Sequence, residues 1–455
     1  MRIQLDPLHL ASQPPGAPQA AYPSLLRAWY SVVLLAALYF ISYADRASLS
    51  LLVTPIQKEF GISDVEFGFL IGTTFAIMYV VFGLLLSPLA DRYNRKWLII
   101  AGGLTWTVST VLSAFAGKYS HLLVLRVGLA IGEAALTPAA ISMIGDLFPR
   151  ERRAAPTSLY TSAGAAGATG AFLLAALLLR FLAGSEGAWA IAALQTPWRA
   201  ALFWVGVPGV FMVLLFGATV REPARREALP QAAQAGQPEA GAPTADRRLL
   251  TGLIVAFTLF AYVPHGFFSW YSTILVRSHQ LAVADAGSWF GSIGVIAMGA
   301  GVLSAPLLLR AAGRLWAARA ENRLFLAALL LLMPLVLAAL NGRSLVLALV
   351  GLAPTMFLVG LIAVLPFVAI QLHAPDRLRA RLAALMIMLS NIFGMGLSPL
   401  VTGLLAKVPG IDGLGRALAA GSLVALFLAV CVLWLEGRRD AGQRVLPPAS
   451  MRAVR

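Results

Sequence analysis

Two acids and two bases lie inside segments that are otherwise apolar enough to cross a membrane. Asp45 and Arg46 are neighbours in YFISYADRASLSLLV (39–53), and Arg126 and Glu133 share the segment HLLVLRVGLAIGEAALTPAAISMIGDLF (121–148). A charge at mid-bilayer depth costs about 2.5 to 3.5 kcal/mol unless it is paired or faces water. Carboxyl groups can take up and release protons, and guanidinium groups bind anions. These four residues are therefore candidates for function.

The spacing of these residues along their helices predicts which of them meet. Arg126 and Glu133 are seven residues apart, so they lie on one helical face about 10 Å apart in height. Asp45 and Arg46 diverge by about 100° and cannot be assumed to pair with each other. Counted from the outer helix ends, Asp45 lies about 15 Å deep, between Arg126 at about 9 Å and Glu133 at about 19 Å. Asp45 is therefore predicted to meet Arg126 if the two segments face each other.

Glu133 would then lie below this pair, where burial disfavours its charged form. A carboxyl group that is neutral in one state and charged in another can couple a conformational change to protons. The alternative interpretation is a structural ion pair that only holds helices together.

The composition predicts the elements that carry these residues. The chain has 455 residues, of which 59% are hydrophobic and 12% are charged, with a mean hydropathy of +0.81. Soluble domains carry about twice that share of charge. Apolar runs near 20 residues recur along the chain, each long enough to cross a bilayer of roughly 30 Å as a helix. The fold class is an all-α membrane protein with twelve transmembrane helices, predicted at 27–54, 67–89, 97–117, 121–147, 156–183, 199–219, 249–276, 286–310, 324–341, 345–372, 382–406 and 415–436.

A polar segment at 221–248, rich in Pro, Ala, Gln and charge, divides the spans six and six. This pattern predicts two parallel halves related by an axis along the membrane normal. A weak repeat supports it, because SPLADRYNRK follows span 2 and PLLLRAAGRL follows span 8. The predicted domains are a disordered cytoplasmic tail, 1–26, an N-terminal six-helix bundle, 27–220, a cytoplasmic linker, 221–248, a C-terminal six-helix bundle, 249–436, and a cytoplasmic tail, 437–455.

The distribution of basic residues predicts the orientation. Of the 35 Lys and Arg residues, 25 lie in the tails and loops on the side of the N-terminus and 8 lie in the opposite loops. By the positive-inside rule both termini are cytoplasmic. The same rule explains the net charge of +15 better than nucleic-acid binding does.

The loop LADRYNRKW between spans 2 and 3 has the residues of a conformational latch. Asp91 at a helix end can accept hydrogen bonds from the exposed amides at the start of another helix. Arg92, Arg95 and Lys96 can supply partners that separate when the two halves move apart. The alternative is a short basic loop that only follows the positive-inside rule.

The second half lacks intramembrane acids comparable to Asp45 and Glu133. Its polar groups include His265 and Asn391, and Phe267 and Trp270 lie in the neighbouring stretch GFFSWY (266–271). A lone histidine is more often a packing residue than a proton carrier. With charge in one half and apolar, aromatic surface in the other, a cavity between them suits an amphiphile with a polar head and an apolar body.

Motifs of enzymes and metal sites are missing from the sequence. It has no G-x-S-x-G, H-E-x-x-H or Walker A motif, and its single cysteine, Cys431, supports no disulfide framework. We therefore expect no enzyme activity, no metal and no cofactor, and any transport would be secondary, driven by a proton gradient.

The residues resemble the major facilitator superfamily. The six-plus-six plan with DRYNRK after span 2 carries this resemblance, although Ser87 and Asn94 replace the glycines of the usual loop motif. The early Asp-Arg pair, GEA (132–134), TPWRAALFWVGVPG (196–209) with REPAR (221–225), and FFSWYSTILVRSHQL (267–281) are similar to the spinster branch.

The resemblance implies a cavity lined by helices 1, 4, 7 and 10. It also implies proton-linked or facilitative transport of lysolipids or sphingoid phosphates. Asp45 matches the acid of span 1 in that branch, Arg46 the adjacent base, Arg126 the base of span 4 and Glu133 its acid. Lys407 and Arg310 stand where acids are common in the second half, which departs from the pattern.

We therefore predict a proton-coupled, alternating-access carrier for an amphipathic, anionic, lipid-like solute of the lysophospholipid or sphingoid-phosphate type. The alternatives are an organic-anion or drug carrier on the same fold and a non-transporting membrane receptor. The carrier is expected to be a monomer in a bacterial inner membrane, with membrane lipids but no nucleic acid as partners. The predicted proton-coupling residues are Asp45 and Glu133, the substrate-binding residues are Arg46, Arg126, Tyr43, His265, Phe267, Trp270 and Asn391, and the latch residues are Asp91, Arg92, Arg95 and Lys96.

Overall fold

The computed structural model describes residues 22–184, 194, 196–226, 247–316 and 319–444. These residues form helices joined by short connections, and no strand occurs among them. We number the long helices in chain order: α1 Leu25–Leu51, α2 Asp64–Arg92, α3 Arg95–Ser113, α4 Tyr119–Leu147, α5 Ala154–Gly184, α6 Pro197–Thr219, α7 Arg248–His279, α8 Val283–Trp316, α9 Ala320–Ala339, α10 Leu345–His373, α11 Leu378–Leu405 and α12 Leu414–Arg444.

Each predicted span corresponds to one of these helices, which confirms the all-helical fold class. Eleven of them are long and apolar enough to cross a membrane. The exception is α3, because Arg95, Lys96 and several Thr and Ser residues lower its hydropathy. The helix α12 continues to Arg444, beyond the predicted end at 436. Most of the predicted tails and linker, at 1–21, 227–246 and 445–455, lies outside the described residues, so the predicted termini stay a prediction.

Local capping determines where several helices begin. Ser63 and Glu66 form a reciprocal capping box at the start of α2, and the Asn94 side chain accepts a hydrogen bond from the backbone N–H of Trp97 at the start of α3. Ser344 caps α10 in the same way. Such side chains satisfy amides that a helix start would otherwise leave unpaired.

Four of the long helices contain an irregularity. The helices α2 and α11 each contain a π-helical segment, Phe69–Thr74 and Asn391–Leu397. The helix α4 is interrupted at Ala135 and α7 at Ala261. Irregular turns of this kind are frequent at functional sites.

The first half, α1 to α6, meets the second half, α7 to α12, along three helix pairs. These pairs are α1 with α7, α2 with α11 and α5 with α8. At the α5–α8 seam a Cβ atom on Gly291 would lie 2.4 Å from the backbone nitrogen of Leu173, so this close approach requires glycine. Small residues at such crossings are typical of packed membrane helices.

Ion pairs close one end of this interface. Arg277 of α7 contacts both carboxylate oxygens of Asp64 at 3.0 Å and donates to the side-chain oxygen of Gln57 at 2.5 Å. Arg180 of α5 pairs with Asp285 of α8 at 2.5 Å. These residues belong to the loops that the charge count predicts to face outward. We call this the outer end of the molecule.

Candidate functional site

A cavity of about 320 Å³ lies between the two halves. Helices α1, α2, α4 and α5 supply one wall, and α7, α8, α10 and α11 supply the other. The four helices that the family resemblance implied, 1, 4, 7 and 10, are among them.

Arg46 and Glu133 form the central ion pair of the first wall. The Arg46 Nε donates to Glu133 Oε2 at 2.7 Å, and the guanidinium also lies 4.8 Å from the ring centroids of Tyr43 and Phe75. Arg46 and Tyr43 line the cavity, whereas Glu133 is buried. The second carboxylate oxygen of Glu133 has no hydrogen-bond partner within the described part of the chain. The arginine can therefore reach the cavity while its counter-ion is sealed behind it.

Arg126 is held differently. Its Nη2 donates to the backbone carbonyl of Ile71 in α2 at 3.1 Å, and its guanidinium lies over the Phe75 ring at 4.7 Å. Its Nε has no hydrogen-bond partner among the residues that the structure describes. Arg126 thus lines the cavity with a guanidinium that pairs with no carboxylate among the described residues.

Asp45 is buried beside a second, much smaller cavity of about 20 Å³. Arg126, Thr110 and Ser113 also line this cavity, whose volume suits a single water. Neither carboxylate oxygen of Asp45 has a hydrogen-bond partner among the described residues. The predicted direct contact between Asp45 and Arg126 is therefore not formed in this structure.

The ion pair forms instead between the other two members of the set, Arg46 and Glu133. The sequence predicted depths along the helices and the angle between neighbouring side chains, but not the rotation of α1 relative to α4. Neighbouring side chains on α1 point about 100° apart, so Arg46 reaches Glu133 whereas Asp45 faces the small cavity, which α3, α4 and α6 border. The direction of a side chain around its helix axis depends on helix packing.

The second wall is apolar and aromatic with a few polar groups. Phe257, Phe260 and Phe367 line it, together with His265 and Asn391, which were predicted. The His265 ring nitrogen Nδ1 lies 2.9 Å from the Ala261 carbonyl at the interruption of α7.

Phe267 and Trp270, which were also predicted to bind substrate, do not line the cavity. Phe267 is fully buried and stacks on Tyr271, with ring centroids 5.2 Å apart. The Trp270 indole donates to the Pro399 carbonyl at 3.1 Å. Phe268 and Ser269 face the cavity instead, because successive residues of a helix point in different directions and the sequence did not show which face looks inward.

The predicted latch residues have separate environments. Asp91 and Arg92 are exposed and make no hydrogen bond or ion pair with other described residues. Arg95 is buried inside the first half, where it forms ion pairs with Asp146 and, at 2.7 Å, with Glu222. The backbone N–H of Lys96 donates to Glu222 at 2.8 Å. A latch between the halves stays a prediction for another conformation.

Asp146 and Glu222 are functional candidates that the sequence reasoning missed. Asp146 ends α4 in GDLFPR, and Glu222 follows α6 in REPAR. The available signal was an acid near the cytoplasmic end of each of these helices, close to a loop that carries three basic residues. No group of three or more His, Cys, Asp or Glu side chains among the described residues could hold a metal ion.

The family model of the Major Facilitator Superfamily matches residues 35–395. The chain belongs to the Major Facilitator Superfamily. An MFS-type efflux pump of Mycolicibacterium smegmatis is 30% identical over 431 residues, which cover 91% of this chain and 93% of that protein. The superfamily comprises transporters, so the chain is a multi-pass membrane transporter of the alternating-access type and not an enzyme.

The spinster resemblance is confirmed by further matches in this superfamily. Protein spinster of Drosophila melanogaster is 30% identical over 216 residues, which cover 46% of this chain and 33% of that protein. The fold superposes on the crystal structure of a bacterial homolog of the human lysosomal transporter Spinster with a TM-score of 0.75. That match has 24% identity and covers 94% of this chain and 100% of the other.

Proposed function

We propose that this transporter moves an amphipathic, anionic, lipid-like solute of the lysophospholipid or sphingoid-phosphate type and couples that movement to protons. One observation carries the proposal. The cavity places Arg46 and Arg126 on one wall and the phenylalanines of the second half on the other. A solute with an acidic head and an alkyl body matches both walls, whereas a fully hydrophilic sugar would leave the aromatic wall unused.

The two arginines suit an acidic head group. Guanidinium groups present several donors in a fixed plane, and they bind phosphate or carboxylate through paired, charge-assisted hydrogen bonds. In the present arrangement Arg126 lines the cavity without a carboxylate partner among the described residues, and Arg46 becomes available when its contact with Glu133 is released. The head group would therefore bind Arg126 first and recruit Arg46.

Glu133 supplies the coupling to protons in this proposal. When Glu133 takes up a proton, its attraction for Arg46 is largely lost, and the guanidinium can turn to the substrate. A proton and an anion then bind together, because each makes the other more favourable. Asp45 is the second proton-responsive group, since no described side chain pairs with its buried carboxyl.

An organic-anion or drug carrier is the second candidate function. The extensive match to an MFS-type efflux pump favours it, and a cavity of about 320 Å³ falls within the size range of drug-binding sites. For both candidates we propose a monomer in a bacterial inner membrane. In both, a proton gradient drives transport and no cofactor is needed. A non-transporting receptor would show no gradient-driven movement.

The test uses purified protein in liposomes with an imposed pH gradient and a fluorescent lysophospholipid. We expect gradient-driven movement for the wild type and its loss in Glu133→Gln, with Asp412→Asn, an exposed loop acid, as the matched control. Excess alkyl lysophospholipid should compete, whereas the same head group without its tail should compete at least tenfold less well. Equal competition by the tail-less head group would favour the organic-anion carrier, and the absence of movement in wild type would reject the lipid-like solute.

A further inference from the structure

Two π-helical segments face each other across the interface between the halves. Phe69–Thr74 lies in α2 and Asn391–Leu397 lies in α11, and these two segments are in contact. A π-helix shifts the backbone hydrogen bonds from i+4 to i+5 and is rare, with a marked preference for functional sites. Two such segments in contact therefore mark this part of the interface as a candidate for function.

The first segment is bonded to the second half. The Thr73 hydroxyl donates to the Gly396 carbonyl of the second segment at 2.7 Å. The backbones nearly touch there, because a Cβ atom on Gly68 would lie 2.5 Å from the Pro399 carbonyl oxygen. A change in the backbone of one segment would therefore displace the backbone of the other.

The first segment is also hydrogen-bonded to Arg126, which lines the cavity. Its Ile71 carbonyl accepts the hydrogen bond from Arg126 Nη2, and Ile71 lines the cavity together with Asn391 and Met395 of the second segment. Each π-helical segment thus presents a backbone carbonyl to a side chain from another helix. The Ile71 carbonyl accepts from Arg126, which together with Asp45, Arg46 and Glu133 forms what we call the charge site. The Gly396 carbonyl accepts from Thr73 across the interface.

The α5–α8 seam between the halves lacks this arrangement. Where α5 meets α8, Thr169 packs against Gly294, and its hydroxyl has no hydrogen-bond partner among the described residues. Phe172 and Phe290 meet edge to face with centroids 4.8 Å apart. The α5–α8 seam is held by this packing and by the Arg180–Asp285 ion pair at the outer end, whereas the α2–α11 seam joins the cavity to the interface through two hydrogen bonds in series.

We propose that the segment Phe69–Thr74 couples the charge site to the outer end of the molecule, with Thr73 as its positioning residue. An anion that draws Arg126 away from the Ile71 carbonyl removes the support of this segment, the Thr73–Gly396 bond weakens, and the outer end opens. The proposal rests on the proposed function only for the kind of ligand that recruits Arg126. The coupling itself is a property of the ligand-free protein.

The test measures the distance between spin labels at exposed positions 58 and 408, on opposite halves at the outer end, in a Cys431→Ser background. Thr73→Val removes the hydroxyl, and we expect at least a threefold rise in the outer-open population. Thr74→Val is the matched control, because the Thr74 hydroxyl is buried in the same segment without a hydrogen-bond partner among the described residues. Thr73→Ser keeps the hydroxyl and should restore the wild-type distribution.

Arg126→Gln provides the second arm of the test. It should shift the same equilibrium in the same direction as Thr73→Val, and the double variant should shift it no further than the larger single shift, since both act through one segment. Free energies that add fully would show independent effects and overturn the proposal, as would equal behaviour of Thr73→Val and Thr74→Val. If Thr73→Val fails to fold, Thr73→Ala gives the same reading. The spin-label measurement uses protein without substrate, so its outcome does not depend on the transport assay. A failure of this coupling can therefore be distinguished from a failure of the proposed function.

Discussion

At the scale of single residues, two arginines of one cavity wall are held by different partners. Arg46 has a buried carboxylate as its counter-ion, whereas Arg126 rests on an aromatic ring and a backbone carbonyl. A charge without an ion-pair partner in a low-dielectric site interacts strongly with any anion that enters. We therefore propose that Arg126 makes the first contact with substrate and that Arg46 makes the proton-dependent contact.

The assignment of Arg126 predicts a charge-selective loss of binding. Arg126→Ala should weaken binding of an anionic lysophospholipid about tenfold or more, because a hydrogen bond to a charged group contributes roughly 1.5 to 3 kcal/mol. Binding of a neutral amphiphile with the same alkyl chain should change much less. Titration calorimetry in detergent measures both, and equal losses for the two ligands would indicate a purely structural role.

The residue scale is also where the sequence informed us least. It identified the four intramembrane charges and their depths, but it paired Asp45 with Arg126, whereas the structure pairs Arg46 with Glu133. It likewise selected Phe267 and Trp270 where Phe268 and Ser269 face the cavity. Residue spacing determines height along a helix, but packing against neighbours determines its rotation, and a step of one residue turns a side chain by about 100°.

At the scale of elements, Arg95 joins three parts of the first half at its cytoplasmic end. It begins α3, pairs with Asp146 at the end of α4, and donates to Glu222 and the Pro223 carbonyl after α6. The side chain is fully buried with its charge neutralised by two acids. This cluster therefore ties α3, α4 and the segment after α6 together through one side chain.

This cluster predicts a large loss of stability for one basic residue of the loop and a small one for its neighbour. Arg95→Met should destabilise the protein by about 3 to 5 kcal/mol, because it leaves the buried Asp146 without its ion-pair partner and removes the contact with the partly buried Glu222. Arg92→Met, at the exposed last residue of α2, should change stability by less than about 0.5 kcal/mol. Thermal unfolding in detergent compares them, and similar melting temperatures would contradict the cluster's role.

Element identity was largely predictable, whereas element irregularities were not. The alternation of apolar runs and basic loops predicted every long helix, because the bilayer imposes both length and composition on a spanning helix. The π-helical segments in α2 and α11 have no comparable local pattern. They lie where the two halves press together around Gly68 and Pro399, a contact between residues more than 300 positions apart in the sequence.

At the scale of the whole molecule, the two halves are joined at the outer end. The Arg277–Asp64 and Arg180–Asp285 pairs lie there, while Asp91 at the other end is exposed. Partly exposed ion pairs of this kind contribute roughly 0 to 1 kcal/mol each. Small energies of this size suit an equilibrium between two access states. Because two such states differ little in free energy, the sequence predicted the two halves but not which end is closed.

The central claim is that proton uptake by Glu133 frees Arg46 for the substrate anion. The most direct test measures the dissociation constant of an anionic lysophospholipid between pH 5 and 8 for wild type and Glu133→Gln, and the slope of its logarithm against pH gives the number of protons taken up on binding. We predict that wild-type affinity increases as pH falls, approaching tenfold per pH unit where Glu133 titrates, and that Glu133→Gln loses most of this slope and keeps only the share that Asp45 contributes. A slope that persists unchanged in Glu133→Gln would contradict the account.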